Sequence, residues 1–395
     1  MDGIHIYRRL EEMPDAFRQF FDAANAGPSA DFSLTPQWLS HLASTTRAEN
    51  QEVRIYAMTR HGAPCLVLPM YGSKQEAAFW RPRRLSSLAN YYSSLTGPLL
   101  AAPDHERDAI LAAAIRHIAR ERPRWDSVDL HPLALEGDAL TGLSKALRAA
   151  GMAVQAYFCF GNWYLEVGGR SYQHYFNALP SRLRNTIIRK TQQLEAAGRL
   201  RVDLVTRPED VEQGIAGYEA IYRSSWKRPE PFPAFIPGLI RLCAQQGWLR
   251  LGIAYVDGQP AAAQIWIVHQ GVASIYKLAY DAAFGRFSVG SILTARLMQH
   301  VIDHDQVREV DYLMGDDAYK QDWMSHRRER WGLRAFNVRT LHGLLGAARH
   351  IAGRRIRAWL TGRFQGARLC GENAGQPAIP KISMGKKPNN YEPMI

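Results

Sequence analysis

The sequence predicts a mixed α/β (α+β) protein with two domains, in which strands are flanked by helices. The chain has 395 residues, whereas one domain commonly has about 100–200 residues. Hydrophobic residues make up 46% of the chain, which excludes a disordered protein. The third observation is a run of strands with helical segments on both sides. We place domains at 1–167 and 168–340, a basic helix at 341–370 and a flexible tail at 371–395.

The first domain is predicted from helices that alternate with strands. In order, the expected elements are a helix at 15–24, strands at 53–59 and 65–70, a helix at 103–121, a strand at 127–130 and a helix at 139–150. Gly151 can take the left-handed conformation that ends a helix. We therefore expect the first domain to close shortly after this residue.

The second domain is predicted to open with a helix that ends at Gly198. A strand at 200–205, a helix from Pro208 to about 225 and a short helix at 235–246 follow, with a proline-rich loop at 229–233 between the two helices. Residues 248–281 have little helical periodicity and contain turn signals at 257–258 and 270–271. This pattern predicts a three-stranded meander with strands at 249–256, 260–268 and 272–280.

An anion-binding site is predicted directly after this meander. The expected order is a loop at 282–289, a helix at 290–304, a strand at 309–313 and another helix from about Asp317. A strand that leads through a glycine-bearing loop into a helix leaves free backbone N–H groups at the positive end of the helix dipole. A pyrophosphate can therefore bind at the start of the helix that follows residue 289.

Several short motifs between residues 172 and 323 form a pattern known from one family. They are Tyr175-Phe176, Arg184, Ser225-Trp226-Lys227, Tyr280-Asp281, Gly290, Asp311, Gly315-Asp316 and Tyr319-Lys320. With them the chain resembles the CelD-like (BioF2-like) acetyltransferase domain of the GNAT superfamily, linked to bacterial cellulose and exopolysaccharide synthesis. Leu66-Val67-Leu68-Pro69 and Asn90-Tyr91-Tyr92 extend the resemblance to the first half. It implies tandem GNAT-like domains, each a mixed, mostly antiparallel sheet flanked by helices, a plan shared with FemAB-like proteins.

The resemblance implies acetyl-CoA or another acyl-CoA as co-substrate, with its pyrophosphate on the loop after the fourth strand. The usual pattern there is Gln/Arg-x-x-Gly-x-Gly/Ala. This chain keeps one glycine of that pattern, a serine follows that glycine, and the arginine lies one place early. The assigned cofactor contacts are Arg286, Ser288, Val289, Gly290 and Ser291. The four cysteines lack CxxC spacing, so we predict no metal site.

Catalysis of acyl transfer to an amine needs a proton acceptor for the amine and a proton donor for the departing thiolate. The resemblance places Tyr319 where a phenol protonates CoA thiolate, and the alternative is a tyrosine packed under the sheet. Asp281 and Asp316 are candidates to accept a proton, directly or through water. Capping of a turn or a helix explains the same two aspartates.

Five residues are candidates to bind the acceptor. Trp226 and Lys227 enter the proline-rich loop, where an indole face could stack on a sugar or a cation; the alternative is a core tryptophan. Arg184 belongs to a basic helical face that is either an anion site or merely solvated. Lys320 could hold an anionic substrate, pair with one of the aspartates or lie in solvent. Tyr280 joins the set through the resemblance.

Positive charge is concentrated at the end of the chain. The formal net charge is +12, which favours anionic partners. Residues 339–371 contain seven arginines and no carboxylate, and their apolar residues recur at helical spacing. This pattern predicts a basic amphipathic helix that packs on its own domain or lies on anionic lipid. We do not expect a nucleic-acid partner.

Together these features predict an acyl-CoA-dependent N-acyltransferase, acting on an amine such as an amino sugar of surface-polysaccharide biosynthesis. Two alternatives stay open: a FemAB-like peptidyltransferase that uses aminoacyl-tRNA, and a non-catalytic accessory protein of a polysaccharide synthase. The first residues lack a signal-peptide pattern, and no apolar run reaches the ~18 residues of a membrane span. We expect a cytoplasmic protein with peripheral contact at the inner membrane through 341–370.

Overall fold

The computed structural model describes residues 3–27, 30–73, 81–136 and 138–352, and these build one continuous sheet covered by helices. The strands are β1 (Gly3–Tyr7), β2 (Gln51–Arg60), β3 (Ala63–Ser73), β4 (Arg84–Ser87), β5 (Leu99–Leu100), β6 (Ser127–Ala134), β7 (Met152–Glu166), β8 (Leu200–Val205), β9 (Leu249–Val256), β10 (Gln259–His269), β11 (Val272–Tyr280), β12 (Glu309–Asp311) and β13 (His326–Asn337). The helices are α1 (Asp15–Ala24), α2 (Pro36–Thr46), α3 (Asp104–Arg120), α4 (Ala139–Ala149), α5 (Tyr172–Ala178), α6 (Ser181–Ala196), α7 (Val211–Ser224), α8 (Phe235–Gln245), α9 (Val289–Asp303) and α10 (Leu341–Ala347). The predicted mixed α/β class, with a large and mostly antiparallel sheet flanked by helices, is confirmed.

The same order of elements occurs twice along the chain. In the first half, β1 to β4 pair as antiparallel neighbours, α3 follows, and β6 returns parallel to β4. In the second half, β8 to β11 pair in the same way, α9 follows, and β12 returns parallel to β11. A helix between two parallel strands is the connection that parallel pairing requires. The repeat makes the two halves directly comparable.

The two halves exchange their last strands. The order across the centre of the sheet is β6-β13-β7-β12. Strand β7, from the first half, pairs with β12 of the second half, and β13, from the second half, pairs with β6 of the first. The exchanged strands also pair with each other, from Met152 opposite Asn337 to Tyr164 opposite His326. The halves are therefore joined by main-chain hydrogen bonds.

One apolar core also spans the two halves. Trp38 of α2 and Phe235 of α8 are buried in the same cluster, with their ring centres 5.8 Å apart. On the opposite sheet face, α9 buries side chains such as Leu293 and Val301. Full burial of one such side chain contributes roughly 1.5–3 kcal/mol, so these contacts hold α9 against the sheet.

The predicted meander is confirmed, but three predictions near the site were incomplete or wrong. The strand expected at 309–313 ends at Asp311, because Leu313 takes a positive φ of 53° that a strand cannot continue. The helix expected from Asp317 is a 3₁₀ turn over Ala318–Asp322. Strands β7 and β13 were missed; the charged residues of β13 hide its alternation.

The end of the chain is described only in part. Helix α10 begins near the predicted position, and Leu341, Leu344 and Leu345 on it are exposed. A π-helical turn over Ala348–Ala352 follows, and the rest of the predicted basic helix and tail lies outside the described residues. The domain boundary at residue 167, directly after β7, stays a prediction. In the described ranges, no helix is both long and apolar enough to cross a bilayer.

Candidate active site

The candidate site is an opening between two parallel strands. Strands β11 and β12 pair over only three residues, from Val272 opposite Glu309 to Ser274 opposite Asp311. On the other side of β11, β10 pairs Ile265 with Lys277 but Trp266 with Ile275, so Tyr276 is an extra, bulged residue of β11. A bulge bends its strand and increases the local twist. The pairing ends at Ser274 of β11 and Asp311 of β12. We call the opening between the two chain segments beyond these residues the wedge.

Free backbone amides lie where the chain leaves this wedge and enters α9. The first helical hydrogen bond runs from the Ile292 N–H to the Ser288 carbonyl at 3.1 Å. The N–H groups of Val289, Gly290 and Ser291 come before it and have no acceptor within the helix. The first turn of α9 contains no acidic side chain. The helix start can therefore bind an anion such as a diphosphate.

The backbone of this turn is strained. Ser288 has φ 54° and ψ 37°, the left-handed conformation, which costs a residue with a Cβ about 1–2 kcal/mol. Gly290 has space beside it: a Cβ added there would lie 3.7 Å from Cδ1 of Tyr280, an ordinary contact. Since no protein atom requires glycine at 290, the residue suits the close approach of a ligand to the backbone.

The corresponding helix of the first half has opposite properties. Helix α3 carries Asp104 and Glu106 in its first turn, where negative charge repels an anion. The N–H of Thr96 donates a 2.7 Å hydrogen bond to the carbonyl of Pro132, so a loop lies beside β6 in that half. The anion site predicted for the second half therefore has no counterpart at α3.

Arg286 lies close to the anion site. Its side chain is exposed, and its guanidinium carbon is 4.7 Å from the ring centre of Phe287. The guanidinium carbon of Arg199 is 5.1 Å from the same ring, and Arg199 also donates a 2.7 Å hydrogen bond to Asp257. Arg286 can therefore reach an anion from the solvent side of the turn.

Two predicted acceptor residues lie against the predicted cofactor site. The ring centres of Trp226 and Tyr280 are 4.5 Å apart, and Tyr280 borders Gly290. Trp226 is 58% exposed, so it is not the core tryptophan that the sequence left as the alternative. The structure brings an exposed indole face, Tyr280 and the start of α9 together at one end of the wedge.

The two predicted lysines differ in their environment. Lys320 is buried and its Nζ donates to the carbonyls of Met314 at 2.5 Å and Gly315 at 3.3 Å. It lies 3.6 Å from Asp317, which is its ion-pair partner, and the charges of Asp311 and Asp316 also act on it. Lys227 contacts the Trp226 ring, 5.9 Å from its centre. Burial first, and then the charge of Lys277, lower the pKa of Lys227 to about 8.

The sequence did not identify Glu230 and Lys277 as members of the site. The Glu230 carboxylate accepts hydrogen bonds from the hydroxyl of Tyr92 at 2.7 Å and from Lys277 Nζ at 3.0 Å. Lys277 also donates to the hydroxyl of Tyr91 at 2.8 Å. The Tyr91-Tyr92 motif of the first half thus reaches the wedge of the second. Glu230 stands between two prolines, but only the fold places it beside β11.

The predicted proton donor, Tyr319, lies on the 3₁₀ turn that follows the wedge. It is 45% exposed, and its ring is perpendicular to that of Tyr312 at 5.9 Å. Burial, together with the charge of Asp317, raises the pKa of Tyr319 to about 12. Its phenol therefore keeps its proton at neutral pH and can donate it.

Both predicted proton acceptors already have partners. The Asp281 carboxylate accepts a 2.8 Å hydrogen bond from the Ala283 N–H, which is the capping contact that the sequence offered as an alternative. Asp316 accepts from Trp163 Nε1 at 2.9 Å and from Arg327 at 2.8 Å. Asp281 lies at the end of β11, whereas Asp316 is tied to β7 and β13.

Arg184 contacts the chain between α5 and α6. Its guanidinium donates to the carbonyls of Asn177 at 2.5 Å and Leu179 at 3.4 Å. These carbonyls lie at the end of α5, where no N–H group of the helix is available to donate to them. In this position Arg184 stabilises the junction between α5 and α6, and its role as a substrate ligand stays a prediction.

One part of the chain matches a known family. Residues 181–321 match the family described as "Acetyltransferase (GNAT) domain". The match includes α9, the wedge and Tyr319. Among the described residues, no group of three or more histidine, cysteine or acidic side chains is placed to hold a metal ion.

Solved structures resemble nearly the whole described chain. The structure of FemX matches with a TM-score of 0.58 and 11% identity, covering 83% of this chain and 96% of FemX. The C-terminal domain of a putative lysylphosphatidylglycerol synthetase from Agrobacterium fabrum matches with a TM-score of 0.50 and 13% identity, covering 85% and 95% of the two chains. At these identities the likeness shows a shared fold. No sequence among curated proteins matches this chain.

Proposed function

We propose that this chain is an acyl-CoA-dependent N-acyltransferase. The observation that carries the proposal is the set of free amides at Val289, Gly290 and Ser291, beside a wedge between two parallel strands. Backbone N–H groups at a helix start suit the diphosphate of CoA, and Arg286 adds a positive charge next to them. Bound acyl-CoA would supply an acyl group, most simply acetyl, as a thioester for transfer to nitrogen.

The chain's own residues have matching roles in this proposal. Tyr319 holds its proton at neutral pH and donates it to the departing sulfur. Asp281, at the end of β11, accepts the proton of the amine directly or through water. Asp316 is the second candidate, and it must exchange its partner Arg327 to act.

The acceptor in this proposal is an amine such as an amino sugar of surface-polysaccharide biosynthesis. Support comes from the exposed indole of Trp226 at the wedge, because sugar rings and cations stack on such faces, and from the resemblance of the sequence motifs to those of CelD-like proteins. Tyr280 and Lys227 lie beside Trp226, and we call these three residues the acceptor wall. In this setting the protein is cytoplasmic, and the exposed leucines of α10 with the basic residues after them contact the inner membrane peripherally.

A second candidate is a FemAB-like enzyme that transfers an aminoacyl group from tRNA. The observation in its favour is the fold likeness to FemX over 83% of this chain. The two candidates differ in the donor, since one needs CoA and the other needs charged tRNA.

The deciding experiment combines calorimetry with an activity assay. We expect CoA and acetyl-CoA to bind the full-length protein with measurable heat, and free thiol to appear only when an amine acceptor from a panel of amino sugars and sugar nucleotides is added. Transfer from aminoacyl-tRNA without CoA binding would favour the FemAB-like candidate. Absence of both reactions, with a Tyr319→Phe variant that is silent in cells, would favour a non-catalytic accessory protein.

A further inference from the structure

The charged groups around Lys227 leave one positive charge in excess. The lysines are Lys227 itself, Lys277 and Lys320, and the carboxylates are Glu230 and Asp317. Lys277 pairs with Glu230 at 3.0 Å and Lys320 lies 3.6 Å from Asp317. Within the described residues, no hydrogen bond or ion pair engages Nζ of Lys227, whose contact is with the ring of Trp226.

An unpaired ammonium in this position is costly. A charged group removed from water loses hydration that only a partner of opposite charge or good hydrogen bonds can replace. Lys227 is partly removed from water and lies near two further cations, and both effects lower its pKa to about 8. At neutral pH the group is still mainly protonated, so an anion would both pair with it and relieve the repulsion.

The position of Lys227 indicates which ligand brings that anion. CoA already has the amides of Val289, Gly290 and Ser291 for its diphosphate. Lys227 instead lies among the charges of the wedge, where Glu230 and Lys277 meet the Tyr91-Tyr92 loop. The exposed rings of Trp226 and Tyr91 belong to the same neighbourhood. This is the side of the site that the acceptor would occupy.

On the basis of the proposed function, we propose that the acceptor carries a carboxylate or phosphate group, and that this group binds Lys227 in the wedge. The wedge would thus select an anionic acceptor.

Anion binding can be measured at Lys227 itself. The full-length protein is reductively dimethylated with isotope-labelled formaldehyde, and the Lys227 resonance is identified by its loss in Lys227→Met. With CoA at saturation, we expect inorganic phosphate and acetate to move this resonance and to raise the pKa of Lys227 above its starting value of about 8. The resonance of Lys145, an exposed residue paired with Asp108, should not respond.

Two outcomes of this titration would overturn the proposal. In one, neither phosphate nor acetate affects Lys227. In the other, CoA alone causes the full shift and later anions add nothing, which would make Lys227 a ligand of CoA. Absence of heat with CoA would instead contradict the proposed function, while the Lys227 titration could still be read without CoA.

Kinetics with matched acceptors test the same proposal during turnover. Glucosamine 6-phosphate is compared with glucosamine, and glycine with glycinamide, by thiol release from acetyl-CoA. Among the pairs that react, we expect the anionic member to have a KM lower by about tenfold. Lys227→Met should remove this preference without changing the KM of acetyl-CoA, Lys227→Arg should restore part of it, and Lys145→Met should have no effect. Equal KM values for the two members in the unmodified enzyme would contradict the proposal.

Discussion

The ring of Trp226 lies 4.5 Å from the ring of Tyr280, and Tyr280 borders Gly290 at the start of α9. One tyrosine thus separates the proposed acceptor wall from the proposed diphosphate site. Because Tyr280 is the last residue of β11, a change in the strand would move both surfaces together. This relationship makes it necessary to test donor binding and acceptor binding separately.

Gly290→Ala tests the diphosphate site. The new methyl group has ordinary contact distance to Tyr280 but occupies the space through which a ligand approaches the amides. We expect CoA affinity to fall by about tenfold or more, which corresponds to at least about 1.4 kcal/mol, with Tm unchanged. Calorimetry and thermal unfolding measure the two quantities. Gly97→Ala is the control, because its added Cβ would lie 3.9 Å from Leu133 in the first half. Unchanged CoA affinity in Gly290→Ala would remove this glycine from the site.

Ser288→Gly tests the strain of the turn that enters α9. Glycine takes the left-handed conformation without steric cost, so the free energy of unfolding should rise by roughly 1 kcal/mol. Urea unfolding provides the measurement. Ser288→Val should lower the stability, since a branched side chain fits this conformation poorly. If both variants have the same free energy of unfolding as the unchanged protein, the conformation of residue 288 does not affect stability.

Tyr319→Phe tests the proposed proton donor. Loss of the phenol should reduce the rate of acyl transfer by about 10²-fold, the lower end of the usual contribution of acid–base catalysis. Stability and CoA affinity should not change, because the side chain is half-exposed. Tyr255→Phe, on β9, serves as the matched control. A Tyr319→Phe variant with normal kcat would show that another group protonates the sulfur.

Lys227→Met should stabilise the free protein, and this effect should depend on pH. The pKa of Lys227 is about 8 in the folded protein, whereas its ordinary value, which applies to the unfolded chain, is 10.5. The unfolded chain therefore binds more protons between these values, and stability rises with pH there. Below pH 8 the cost of the charged lysine is fully present, so Lys227→Met should gain about 1–3 kcal/mol.

The gain in Lys227→Met should shrink as pH rises from 8 towards 10.5, when the lysine of the unchanged protein loses its proton in the folded state. Urea unfolding of both proteins across this range gives the difference directly. The other charged groups around Lys227 are Lys277, Glu230, Lys320 and Asp317, and they are the same in both proteins. A difference that does not vary with pH would contradict the lowered pKa.

Arg328→Met tests the polar contacts that hold the exchanged strands. The Arg328 guanidinium on β13 donates to Glu309 of β12 and to Asn162 of β7, both at 2.6 Å. Its removal leaves Glu309 and the buried Asp311 without their cation, so unfolding should become easier by about 3–5 kcal/mol. Arg207→Met, which breaks an exposed ion pair with Asp210, should change stability by less than about 1 kcal/mol. Similar losses in the two variants would mean that Arg328 has no special part in the joint.

The sequence predicted the second half well because its signals are local. Glycine turns flank β10, and a glycine-bearing loop follows β11 directly before α9, so both the meander and the free amides could be located. The exchange of β7 and β13 could not be predicted, because it depends on pairing between residues more than 150 positions apart, such as Met152 and Asn337. Charged residues such as Arg328 and Arg330 also make β13 look like an exposed segment.

Only those parts of the site that have local sequence signals could be predicted. Ser288, Gly290 and Ser291 follow from the local order of strand, loop and helix. Glu230 was missed because its partners Tyr92 and Lys277 come from distant segments. Lys227 was identified through its motif, but the sequence could not show that its ammonium has no partner among the described residues. Asp316 was expected at the reaction centre from its place after a strand, whereas Arg327 and Trp163 bind it.

The strand exchange limits how this protein can move. Rotation of one half against the other would break the hydrogen bonds between β6, β13, β7 and β12. Hinge opening of the wedge is therefore not available as a low-energy motion. In the proposed function, substrates would instead enter past side chains and loops at its rim, such as Trp226 and Tyr91. The strand frame would then fix the shape of the site, while these exposed rings admit its ligands.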